Sequence, residues 1–189
     1  STIPPMDSWS ALIGSVAPDA PLTLGFLIFL AMDIMAKDGG AQGSAIATSS
    51  GRTQSRVGYL FGTLFFKDWR MKLLHNLFHA PLLTVTYAFL GYWGWKNETW
   101  WGKRWGAKLF WFGASCTLHT AIDIPLHYND GPLLLFPFDW QTRFYSPVSY
   151  WDRKRYGRQF TIFEHALLVV LIIWLVRDWW VGKAMVDDR

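Results

Sequence analysis

His75 and His79 lie four residues apart in Leu74-His-Asn-Leu-Phe-His-Ala-Pro81, and His119 and Asp123 repeat that spacing in Leu118-His-Thr-Ala-Ile-Asp-Ile-Pro125. Residues four apart share one face of an α-helix, so each pair can aim two ligand atoms at a single point. Imidazole nitrogen and carboxylate oxygen together suit Zn, Mn or Fe, rather than Ca or a metal selected by thiolate. Both pairs lie in apolar stretches of the chain. An ionisable side chain in a membrane helix is expensive, and a metal, a proton path or a mutual partner is the usual explanation.

The elements that must hold these pairs are helices in a bilayer. Of 189 residues, 51% are apolar, 18% aromatic and only 17% charged, with 13 Trp, a balance too apolar for an ordinary soluble domain. Trp and Tyr gather at the ends of the apolar runs (Tyr92, Trp93, Trp95, Trp100, Trp101, Trp105, then Trp174, Trp179, Trp180), as interfacial belts do. A span needs about 20 mostly apolar residues. This predicts an all-α integral membrane bundle of three to four spans, over 20–36, 73–95, 105–126 and 159–180, in one domain covering 1–189. The first 18 residues contain no Lys or Arg and no adequate apolar run, so no cleavable signal peptide is expected. The net charge of +4 comes from basic residues scattered through loops, which excludes a nucleic-acid surface. With a single cysteine, Cys116, no internal disulfide forms.

Two extramembrane loops follow from these bounds, 37–72 and 127–158. Within the first, the Gly/Ser-rich stretch 38–58 reads as flexible and Tyr59 to Trp69 as an amphipathic interfacial segment. The second combines turn formers with many aromatics, which predicts a lid folded over the membrane surface. Its expected anchors are Phe136, Phe138, Trp140, Phe144, Tyr145, Tyr150 and Trp151, with Arg153, Lys154 and Arg155 bordering the entrance. The basic residues of both loops favour the cytoplasmic side.

That topology puts His75 and His79 at the start of the second span and His119 and Asp123 at the end of the third. Glu164 and His165 open the fourth and Asp33 closes the first, so all fall on one membrane face, roughly one to two helical turns below the interface. His127 and Asp130 either extend the site or cap the loop. Asp33 is either a ligand or the polar end of its helix. His165 reads most simply as a hydrogen-bonded interfacial residue, and Glu164 as a carboxylate orienting an imidazole.

Three stretches resemble the YdjM/DUF457 group of membrane-bound metal-dependent hydrolases. Gly14-Ser-Val-Ala-Pro-Asp-Ala-Pro21 is similar to its N-terminal Gly…Pro-Asp turn. The stretch from Tyr59 through His75-Asn-Leu-Phe-His-Ala-Pro81 is similar to its His-Ser helix, with Ala80 in place of the usual Ser. His119 to Phe138, followed by Arg143 to Asp152, resembles its His-x3-Asp helix and following loop. The resemblance implies a helical membrane protein distantly akin to zinc-dependent phospholipase C and P1-type nucleases. It implies Asp19, His79, His119 and Asp123 as metal ligands, with His75 and His127 as further candidates. Resemblance thus selects Asp19, before the first apolar segment, where topology selects Asp33 after it.

Three functions compete. The first is a metal-dependent hydrolase of a lipid-like phosphoester in a bacterial inner membrane, with Asp123 or Glu164 as general base and the basic loop attracting an anionic amphiphile. The second is a non-catalytic subunit of a larger photosynthetic or respiratory membrane assembly, its metal or polar cluster being structural. The third is a haem or pigment protein using His75, His79 or His119 as axial ligand, and the Asp123 partner argues against it.

Overall fold

A computed structural model describes residues 2–38, 45–47 and 53–187. The chain is mostly helical: α1 (Ser8–Val16), α2 (Ala20–Asp38), α3 (Arg56–Tyr59), α4 (Phe65–Lys67), α5 (Trp69–His79), α6 (Pro81–Lys96), α7 (Gly102–Asp123) and α8 (Gly157–Asp187). A π-helical turn, Leu60–Leu64, joins α3 to α4. The stretch expected to be wholly flexible contains a two-stranded antiparallel ribbon, β1 (Ala45–Ala47) paired with β2 (Thr53–Ser55), while 39–44 and 48–52 lie outside the described residues. The segment Tyr59 to Trp69 is helical except at Asp68 and turns Leu60 and Phe65 inward.

Among the described residues one helix, Gly157–Trp180 of α8, is by itself long and apolar enough to cross a membrane. Two bent pairs reach the same standard only when each is taken as one unit: Ser8–Val16 with Ala20–Ala36, bent by 57°, and Trp69–His79 with Pro81–Lys96, bent by 43°. The 105–126 stretch, expected as a span, is the single helix α7, but it does not qualify on composition. Lys103, Arg104, Lys108, His119 and Asp123 dilute its apolar content.

Both bends have local causes. Pro81 forces the preceding Ala80 into an extended backbone, ψ 126°, and then starts α6 at its first position, where a missing N–H is harmless. Pro18 lies fully buried in the turn between α1 and α2, and Asp19 closes that turn as its carbonyl accepts the Thr23 amide at 2.9 Å. Asp68 caps α5 by accepting the Arg70 and Met71 amides at 2.9 and 3.0 Å.

Around these breaks, α7 packs against α6 on one side and α1 on another. The approach is backbone to backbone. A Cβ on Gly91 would lie 2.2 Å from the Phe110 nitrogen, and one on Gly14 would lie 2.3 Å from the Phe112 carbonyl oxygen. With no Cβ in the way, the two backbones come into direct contact at these glycines. It fixes the roll of α7, and hence the direction in which His119 and Asp123 point.

Candidate metal centre

α5 ends at His79, and α7 passes beside that end. His79 Nε2 stands 2.9 Å from Asp123 Oδ2, and His119 Nε2 stands 3.1 Å from the same oxygen. One ligand atom from each of His79, His119 and Asp123 falls within 4.8 Å of the others. A tetrahedral zinc with bonds near 2.0–2.1 Å separates its ligand atoms by roughly 3.3 Å, so this spacing fits a small divalent ion. Neither Nε2 makes a properly aligned hydrogen bond, although both are buried. Short separations with poor alignment are what converging ligand atoms produce.

The partners of the other ring nitrogens sharpen this. His119 Nδ1 lies 2.9 Å from the Ser15 carbonyl oxygen, which can only accept, so Nδ1 carries the proton. The neutral ring therefore presents its Nε2 lone pair toward two carboxylates, Asp123 Oδ2 and Asp19 Oδ2, the latter at 3.5 Å. A lone pair facing two acceptors requires either a protonated ring or a cation between them. Donation of the far N–H to a backbone carbonyl is the usual arrangement of a metal-bound imidazole. The α1–α2 bend supplies both Ser15 and Asp19, so the break in that helix serves the site directly. The α5–α6 bend serves it too: the His79 carbonyl there accepts the Thr120 hydroxyl of α7 at 2.9 Å, which ties the two helices together beside the ligands.

His75 stands behind His79 rather than among the converging atoms. Its Nε2 is 3.0 Å from His79 Nδ1, and its Nδ1 is buried without a hydrogen-bond partner among the described residues. His127 is carried round by the 3-10 turn Ile124–Leu126, so that its Nε2 sits 3.8 Å from Asp123 Oδ2 while its Nδ1 sits 3.0 Å from Asp130 Oδ1. Burial alone would raise the Asp130 carboxyl, but the His127 ring outweighs it and holds the group below its ordinary value. Tyr150 meets His127 edge-on at 4.8 Å, and burial pushes its phenol up, aided by the charges of Asp123 and Asp19.

The loop after α7 closes over this cluster. The Leu133 amide donates to Asn76 Oδ1 at 2.8 Å, between the two histidines of α5, and Leu133 and Phe136 bury against Ala80 at the helix break. Lys72 Nζ reaches the Trp140 carbonyl at 3.3 Å, and the Tyr150 amide reaches the Leu126 carbonyl at 3.2 Å. Arg143 donates to the Gly131 carbonyl and covers the rings of Phe65 and Phe66. Of the aromatic anchors read from sequence, Phe136, Trp140 and Tyr150 face inward, whereas Phe138, Phe144, Tyr145 and Trp151 are exposed. Arg153 and Lys154 are exposed, and Arg155 stacks on Tyr128 beside the site.

Three polar residues that topology grouped with the site sit elsewhere. Asp33 accepts the Arg56 and Val57 amides at 3.1 and 3.2 Å and pairs with the Arg56 guanidinium at 3.3 Å, capping α3. Glu164 and His165 are exposed on α8, and among the described residues nothing joins them to the cluster. Sequence reading missed Ser15, Thr120, Asn76 and Leu133. Three of these act through backbone groups or hydroxyls that no spacing marks, and Asn76 is visible only as the polar residue enclosed by the two histidines. Compared with family models, curated proteins and solved structures, the chain matches none.

Proposed function

We propose that this chain is a membrane-embedded divalent-metal protein that hydrolyses a lipid-like phosphoester. The observation that carries the metal half is the convergence of His79, His119 and Asp123, with His119 Nδ1 engaged by a carbonyl and its Nε2 left for a cation. Asp19, half-exposed and 3.5 Å from His119 Nε2, is the fourth ligand and marks the open edge of the site. The ion is Zn, Mn or Fe by ligand chemistry. In the proposed arrangement the two bent helix pairs and α7 join α8 in the bilayer, giving up to four spans in a bacterial inner membrane. The ligands then lie at helix breaks, where irregular backbone is tolerated because protein surrounds it.

A divalent ion held by His79, His119, Asp123 and Asp19 would supply Lewis-acid chemistry to a phosphoester there. Asp123 would be occupied as a ligand and Glu164 is remote, so a proton would pass to His127, whose Nδ1 stands 3.0 Å from Asp130 Oδ1. Arg153 and Lys154, exposed at the membrane surface, offer cations to an anionic headgroup, while Arg155 stacks on Tyr128 and pairs with Asp152 at 3.5 Å. The test is metal analysis of the purified protein, followed by hydrolysis assays on phospholipid vesicles. Turnover that depends on the metal and vanishes in His127→Gln with metal content retained supports the reading. A metal-free protein, or a loaded protein inert on every phosphoester offered, opposes it.

A second reading has its own observation. α8 is largely apolar and is exposed from Thr161 to Trp180, yet it carries Glu164 and His165. Ionisable residues on such a helix favour a neighbouring membrane subunit, with the metal cluster as a structural rather than catalytic element. Co-purifying chains that cross-link to α8, together with absent turnover, would favour it.

A further inference from the structure

We infer that His75 is a positioning residue that sets the tautomer of His79 and thereby the affinity of the site for its metal, an inference that rests on the metal reading above. If His79 Nε2 binds the ion, its Nδ1 must carry the proton and needs an acceptor. Among the described residues the acceptor offered to it is His75 Nε2, 3.0 Å away on a deeply buried side chain. His75 must then hold its own proton on Nδ1, the atom that finds no hydrogen-bond partner among the described residues. A buried polar atom left unsatisfied calls for an explanation. Here it is the cost of presenting a lone pair to His79. The usual partner behind a metal-bound imidazole is a carboxylate or a carbonyl, and His119 has the Ser15 carbonyl in that place. A second imidazole supplies the same lone pair without adding a negative charge beside a cluster that already contains Asp19 and Asp123.

Asn76 keeps His75 in register. Its Nδ2 donates to the Lys72 carbonyl at 2.8 Å and its Oδ1 accepts the Leu133 amide at 2.8 Å, which clamps the histidine-bearing turn of α5 under the loop. Phe65 packs against the His75 ring at 5.1 Å and limits its rotation.

The full chain is reconstituted in nanodiscs, stripped of metal and loaded with Cd-113 after labelling of histidine with N-15. Couplings to cadmium are expected at Nε2 of His79 and His119, with none at His75, whose Nε2 should show the shift of an unprotonated acceptor. A cadmium coupling at His75, or a proton on its Nε2, overturns the inference. In parallel, His75→Phe removes the acceptor and should weaken Zn2+ binding by roughly 10- to 100-fold, the range typical of lost outer partners. His75→Gln, which restores an acceptor oxygen, should recover most of that loss. Unchanged Zn2+ affinity in folded His75→Phe overturns the inference, and if that variant does not fold, the couplings in the wild-type protein decide alone. A wild-type protein that binds neither ion refutes the metal reading itself.

Discussion

Asp123→Asn tests the centre with the smallest change in shape. Asp123 Oδ2 lies 2.9 Å from His79 Nε2, 3.1 Å from His119 Nε2 and 3.8 Å from His127 Nε2, so one oxygen serves three rings. At an effective dielectric of about 20, a full charge roughly 3 Å from one cation is worth about 5 kcal/mol before desolvation. Removing one partner of a buried pair costs about 3–5 kcal/mol in practice. The Asp123 side chain is 17% exposed, which favours the lower end of that range. A loss of about 3 kcal/mol corresponds to roughly 150-fold weaker metal binding. Competition against a chromophoric chelator measures that directly, and thermal melting with and without Zn2+ measures the linked stability. Zn2+ affinity within about threefold of wild type, with an unchanged melting temperature, would refute a central role for this carboxylate.

Other substitutions separate the site from its scaffold. Glu164→Gln should leave metal content and any turnover unchanged, because Glu164 is exposed on α8; a tenfold fall in either measurement contradicts its assignment outside the site. Asn76→Ala should destabilise the protein by about 1–3 kcal/mol by leaving the Leu133 amide buried without an acceptor. Hydrogen exchange across 127–151 should accelerate in that variant, and unchanged exchange would mean the loop is held by something else. Gly91→Ala should cost at least about 1–3 kcal/mol through overpacking against the Phe110 backbone, whereas Gly62→Ala, with nothing within 4 Å, should melt like wild type. Equal melting of the two alanine variants would dismiss the close α6–α7 approach.

The histidine and aspartate spacings were legible in the chain because helical periodicity is local: His75 with His79, and His119 with Asp123, share a face whatever the helices pack against. The helical class and the apolar α8 follow from composition in the same way, whereas 73–95 reads as one unbroken span that the structure divides at Pro81, and of the seven aromatic anchors read from the chain only Phe136, Trp140 and Tyr150 face inward. Resemblance singled out Asp19 where topology favoured Asp33, and the choice between them turns on the bend after α1, which brings Asp19 and Ser15 to His119 while Asp33 caps α3. Spacing could not separate His79 from His75, since both occupy one helix face; the height of α7 along α5 puts Asp123 beside His79 and leaves His75 behind it. Nor could it remove Glu164, whose polar position on an apolar helix looks the same whether that helix joins the cluster or stands apart. Local sequence fixed which side chains travel together, and only tertiary packing decided which lone pairs meet, because that depends on the roll, height and bend of helices set by contacts remote in the chain.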